Sequence, residues 1–80
     1  MPWIVVEAPY ELEKLAREFA LELMKYFGLR VKVKLYNGPY FNVYYNYHIL
    51  VSVKNPKSIR QLNYLFWSSY KRRKKVGTLK

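Results

Sequence analysis

The residues of this chain that could do chemistry are cations and aromatics, set in alternation. Arg30, Lys32 and Lys34 take every second position of one stretch, with Tyr36, Tyr40 and Tyr44 following closely. A second run, Lys71-Arg72-Arg73-Lys74-Lys75, stands near the C-terminus, and Arg60 precedes it. Lysine and arginine neutralise phosphates and release counterions, which gives affinity without sequence preference. Tyrosine rings offer flat faces on which unpaired bases stack. Each group also has a plainer reading. Solvated cations on a strand discourage edge pairing, tyrosines pack across strands, and a few cations complement the C-terminal end of a helix dipole. Five adjacent cations exceed that last need and repel one another, so the terminal run reads as phosphate-binding.

Catalysis is hard to assemble. His48 is the only histidine, cysteine and aspartate are absent, and every acid (Glu7, Glu11, Glu13, Glu18, Glu22) lies at or before position 22. A nucleophile-base-acid set would have to join His48 to a glutamate and to Ser52, Ser58, Ser68 or Ser69, and no spacing favours it. Ligands for a metal site are lacking. Gly28, Gly38 and Gly77 form no phosphate-cradling loop. The expectation is a non-enzyme without cofactors.

Composition agrees with a polyanionic partner. Net charge is +10, and it is unevenly placed: five acids meet two cations in the first 22 residues, whereas thirteen Lys or Arg and no acid follow. Unbalanced cationic surface repels itself unless something neutralises it. Nucleic acid fits best, ahead of an acidic membrane surface or an acidic protein. The start, Met1-Pro2-Trp3-Ile4-Val5-Val6-Glu7, has neither the cationic region nor the apolar length of a signal or membrane segment. The chain therefore reads as soluble and cytoplasmic. With 80 residues, 51% of them hydrophobic, and no cysteine, core packing alone must hold it.

The elements that position these residues follow from periodicity. Trp3 to Val6 is short, apolar and β-branched, which predicts an edge strand. Pro9 suits the first turn of a helix. Leu12, Leu15, Ala16, Phe19, Ala20, Leu23, Met24 and Phe27 then recur at helical spacing until Gly28 ends the run. Glu11, Glu13, Lys14, Arg17, Glu18, Glu22 and Lys25 fall on the other side. From Leu29 the period is two: Leu29, Val31, Val33 and Leu35 alternate with the cations. After Asn37-Gly38-Pro39, the residues Phe41, Val43, Tyr45, Tyr47, Ile49, Val51 and Val53 alternate again, as one bent strand or as two strands broken near Tyr45-Asn46-Tyr47.

Register can be argued from the same pattern. A two-residue loop at Asn37-Gly38 would set lysines beside Phe41 and Val43 in the core. A three-residue loop including Pro39 pairs Leu35 with Phe41, Val33 with Val43 and Val31 with Tyr45. Arg30, Lys32, Lys34 and Tyr36 then share the other face with Tyr40, Asn42, Tyr44 and Asn46.

A second helix starts near residue 57, capped either by Asn55-Pro56 or by a Ser58/Gln61 box. Its apolar stripe is Ile59, Leu62, Leu65 and Phe66, and Arg60, Asn63, Tyr64, Trp67 and Lys71 gather beside it. The expected fold is α+β: a small antiparallel sheet of two to four strands with two helices on one face, in the order (β)-α-β-β-(β)-α. Residues 1–70 form the single domain and residues 71–80 a basic C-terminal extension.

This order, with Gly38-Pro39 in the first hairpin, resembles a double-stranded-RNA-binding domain, which implies RNA as partner. The chain departs from that family where no histidine follows Gly-Pro at the family's spacing, and where the lysine cluster of the last helix is reduced to Lys57 and Arg60. The order is also similar to the helix-hairpin-helix core of SprT-like zinc peptidases, through Leu65-Phe66-Trp67-Ser68-Ser69-Tyr70-Lys71-Arg72. Their His-Glu-x-x-His motif would fall on Ser68, Ser69 and Arg72, so that resemblance implies a catalytically dead relative.

The functional expectation is a non-catalytic binder of structured RNA, in its most concrete form a ribosomal or ribosome-associated, rRNA-binding protein. Sparing use of Gln and Thr, with abundant Lys, Val and Tyr, suggests a thermophilic archaeal source. The alternatives are a DNA-binding architectural or viral protein, and an interaction module whose acidic first helix docks a neighbouring protein.

Overall fold

The computed structural model describes the backbone of residues 3–79 and the side chains of residues 4–71. Along the chain lie β1 (Trp3–Pro9), a 3-10 turn (Tyr10–Leu12), α1 (Glu13–Phe27), β2 (Arg30–Tyr36), β3 (Tyr40–Tyr45), β4 (His48–Lys54) and α2 (Ile59–Leu79). The α+β class and the element order hold. Both helices pack on one face of the sheet, over a core that includes Ile4, Val6, Phe19, Leu23, Phe41, Val43, Leu62 and Phe66.

The sheet itself corrects two expectations. Its strands run in the order β2-β1-β3-β4, with β1 parallel to β2 and antiparallel to β3. The sheet is thus mixed, and β1 is an interior strand instead of an edge. The cause is α1, which is long enough to carry the chain back as a crossover between parallel strands. Ile4, Val6 and Ala8 of β1 are fully buried as a result. The second correction concerns β2 and β3, which do not pair directly. Val6 stands between Val33 and Val43, and Ile4 between Val31 and Tyr45, so the predicted levels survive with one strand interposed. The loop at residues 37–39 therefore crosses the end of β1, a step of two strand spacings or about 10 Å.

A smaller correction concerns β4. The register of β3 and β4 shifts between Val43 and Tyr44, so Val43 pairs with Val51 while Tyr44 pairs with Ile49. Leu50 is the extra residue of this bulge and packs on the core, and Ile49 turns outward with 52% of its surface exposed. The break at Tyr45-Asn46-Tyr47 is a two-residue hairpin turn.

Helix ends are set by local chemistry. Pro9 ends β1 instead of opening the helix, and the 3-10 turn delays α1 to Glu13. Met24, expected in the core stripe, is 40% exposed. Gly28 adopts the left-handed conformation at φ 62° and its N–H donates to the Met24 carbonyl at 3.1 Å. At the start of α2 the Ser58/Gln61 alternative prevails. Ser58 Oγ accepts from the Gln61 N–H at 3.2 Å, and Gln61 Oε1 accepts from the Lys57 N–H at 2.9 Å.

An aromatic cluster joins the layers. Phe19 of α1 meets Phe41 and Phe66 edge-on, with centroids 6.0 and 6.2 Å apart. Tyr70 stacks on Phe66 at 5.5 Å and meets Tyr45 at 5.2 Å, while Trp67 stands 4.2 Å from Phe27. Full burial of each of the three phenylalanines contributes roughly 1.5–3 kcal/mol. Asn63 Nδ2 donates to Glu22 Oε1 at 3.1 Å, tying α2 to α1.

Candidate nucleic-acid interface

Because α1 and α2 cover one face, alternation leaves the other face of all four strands open. Arg30, Lys32, Lys34 and Tyr36 of β2 lie there with Val5 and Glu7 of β1, Tyr40, Asn42 and Tyr44 of β3, and Ile49, Ser52 and Lys54 of β4. The structure thus brings together the strand-borne candidates, with β1 running between the cations and the tyrosines. Asn46, expected on this face, belongs to the hairpin turn instead. Two rows cross the sheet: Lys32, Val5, Tyr44, Ile49 and, beside it, Lys34, Glu7, Asn42, Ser52.

An open groove of about 400 Å³ lies along these rows, lined by Val5, Glu7, Lys32, Lys34, Tyr44 and Tyr47. Cations form one wall and tyrosines the other. Val5 makes the floor apolar, which suits the flat side of a ring.

Glu7 is the one acid of this face. Its Oε1 accepts from Asn42 Nδ2 at 3.1 Å and from the Tyr44 hydroxyl at 3.4 Å. Asn42, buried, is oriented in turn by Ser52, whose Oγ donates to Asn42 Oδ1 at 2.8 Å. Burial and then the neighbouring Glu7 charge push the Tyr44 hydroxyl above the usual tyrosine range, so it remains a donor to the carboxylate. Lys34 is the register neighbour of Glu7, yet among the described residues the ion pair formed is Arg17 with Glu13, at 2.9 Å.

Tyr47 is the groove residue that the sequence reading did not include in the site, having left it either in the alternating strand or in a break at Tyr45-Asn46-Tyr47. Its ring is 98% exposed, and its backbone lies at φ 70° beside Asn46 at φ 48°. Two successive positive φ values make the hairpin turn that favours Asn-Gly. A bulky side chain at the second position costs roughly 1–2 kcal/mol. Core packing gives nothing back for that cost, since the residue stands in solvent while it lines the groove. Asn46, a usual first residue of such turns, was the available signal.

Other candidates separate from the groove. The Tyr36 hydroxyl donates to the Tyr40 carbonyl at 2.7 Å and accepts from the Tyr40 N–H at 3.2 Å. It is thereby committed to the turn, although both tyrosines remain on the open face. Arg60 and Lys71 are exposed on α2, in the layer that covers the opposite face. The α2 backbone continues past residue 70 to Leu79, and the side chains of Arg72, Arg73, Lys74 and Lys75 lie outside the described residues. His48 is exposed beside the hairpin turn. Among the described residues no three His, Asp or Glu side chains group as metal ligands, and no helix is long and apolar enough to cross a membrane.

No protein-family model matches the chain, and no curated protein does. Among solved structures it is similar to a Bordetella parapertussis protein whose crystal structure was determined as a structural-genomics target. The two are 28% identical with a TM-score of 0.56, over 64% of this chain and 71% of that one.

Proposed function

We propose that this protein is a non-catalytic RNA-binding protein that takes unpaired stretches of structured RNA onto its open sheet face. The observation that carries the reading is the groove with Lys32 and Lys34 on one wall and Tyr44 and Tyr47 on the other. Phosphates would lie along the β2 cations, while a base stacks against the tyrosines, each stacked base contributing roughly 1–3 kcal/mol. The terminal cations 71–75 would extend the phosphate contacts. A ribosome-associated role in a thermophilic archaeon is the setting that composition supports.

The interaction-module alternative, with α1 as an acidic docking helix, is narrowed to Glu18 and, in the preceding turn, Glu11, which are exposed and make no ion pair among the described residues. Glu13 is paired with Arg17, and Glu22 is engaged by Asn63. As for catalysis, Ser52 is spent on Asn42 and His48 faces solvent. His48→Ala is expected to abolish no hydrolytic activity.

The test is a side-by-side titration of the protein with single-stranded RNA, the same sequence as DNA, duplex RNA and duplex DNA, together with co-sedimentation with ribosomes. Preferred binding of single-stranded RNA supports the reading. Equal or tighter binding of duplex DNA replaces it with the architectural DNA-binding alternative.

A further inference from the structure

The open face of a protein carrying +10 net charge holds one carboxylate, and it sits inside the groove. Glu7 makes no direct ion pair with Lys32 or Lys34, although both line the same groove. It is held by neutral donors instead. Ser52 fixes the amide of Asn42, and Asn42 and Tyr44 together fix Glu7, both through Oε1. Oε2 keeps its acceptor sites. A carboxylate accepts at both oxygens and cannot donate. The groove therefore offers a positioned acceptor edge beside stacking tyrosines.

We infer that Glu7 makes this groove a guanine-reading site, with the base stacked against the wall formed by Tyr44 and Tyr47 and its N1–H and N2–H2 donating to the Glu7 carboxylate. The inference rests on the RNA-binding reading above and adds base preference to it. Unpaired bases are read on their Watson–Crick edges by such hydrogen bonds. Guanine alone presents two adjacent donors on that edge. Adenine and cytosine set a ring-nitrogen acceptor next to their amino group, which would face the carboxylate lone pairs. Uracil places its one N–H between two carbonyls. Oε2 is open to one guanine donor, and the long 3.4 Å bond from Tyr44 is the one that the second guanine donor would displace from Oε1. Asn42 and Ser52 act here as positioning residues, reaching the base only through Glu7.

The test uses fluorescence-anisotropy titrations of the full chain with three labelled oligouridines: one unsubstituted, one with a single central guanosine, and one with inosine there. Inosine keeps N1–H and lacks the amino group. The guanosine oligomer is expected to bind about tenfold tighter than oligouridine, with inosine in between, as for a two-bond base contact. In Glu7→Gln, which is isosteric and replaces an acceptor oxygen by a donor, the guanosine and inosine oligomers should bind alike. Tight, salt-sensitive binding of all three oligomers by the native chain, with affinities within twofold, would overturn guanine reading and leave the RNA-binding reading intact. Failure of all three to bind would remove both. The comparison on the native chain decides even if Glu7→Gln does not fold.

Discussion

Tyr36 lies across Gly38 and closes the loop between β2 and β3 with its own hydroxyl, which both donates to and accepts from the backbone of Tyr40. A Cβ at Gly38 would overlap the Tyr36 ring, and the ring cannot swing away without giving up both hydrogen bonds. Gly38→Ala should therefore destabilise the protein by about 1–3 kcal/mol, as overpacking does. Tyr36→Phe should cost about 1 kcal/mol, the net worth of a typical hydrogen bond. Thermal or denaturant melts check both. RNA affinity of Tyr36→Phe at a temperature where it is folded should match the native chain, because the hydroxyl serves the loop.

Tyr47 gives the opposite pairing of stability and binding. Tyr47→Gly removes roughly 1–2 kcal/mol of left-handed strain. Against that stands the added freedom of glycine in the unfolded chain, of about 0.4–1 kcal/mol. The melting temperature should hold or rise while affinity for single-stranded RNA falls at least about fivefold, the lower end of one lost stacking contact. A marked fall in melting temperature would show that the ring serves the fold.

The terminal cations can be tested without disturbing the core. Tyr70 contacts Phe66, Trp67 and Tyr45, so a chain ending after it keeps the aromatic cluster. Removing residues 71–80 should flatten the slope of log affinity against log salt on single-stranded RNA by about three units, at roughly 0.7 per phosphate contact. The melting temperature should change little. A slope change below about one unit would mean that the run contacts no phosphate.

Much of this architecture is legible in the sequence, because burial and hydrogen-bond period are local. The helical stripe from Leu12 to Phe27, its stop at Gly28, and the parity that sends Arg30, Lys32 and Lys34 to the same face as Tyr40 and Tyr44 all follow from spacing. Strand order does not. Nothing local in Trp3–Pro9 distinguishes an interior from an edge strand; its place depends on the crossover through α1, a long-range contact. The bulge that turns Ile49 out and Leu50 in defeats strict alternation for the same reason, since it is a property of two strands together. Glu7 was readable as an acid but not as part of the site, because β1 had to lie beside β3 before Asn42 and Tyr44 could reach it.

The most direct test of RNA binding by the open sheet face is the salt dependence of affinity for a single-stranded RNA, compared between the native chain and the triple variant Arg30→Gln, Lys32→Gln, Lys34→Gln. All three side chains are exposed, so each change should alter stability by less than about 0.5 kcal/mol. If these cations lie on phosphates, the slope of log affinity against log salt flattens by about two units at roughly 0.7 per contact, and affinity falls most at low salt. A slope within about half a unit of the native value, with the fold intact, would show that RNA does not lie on this face.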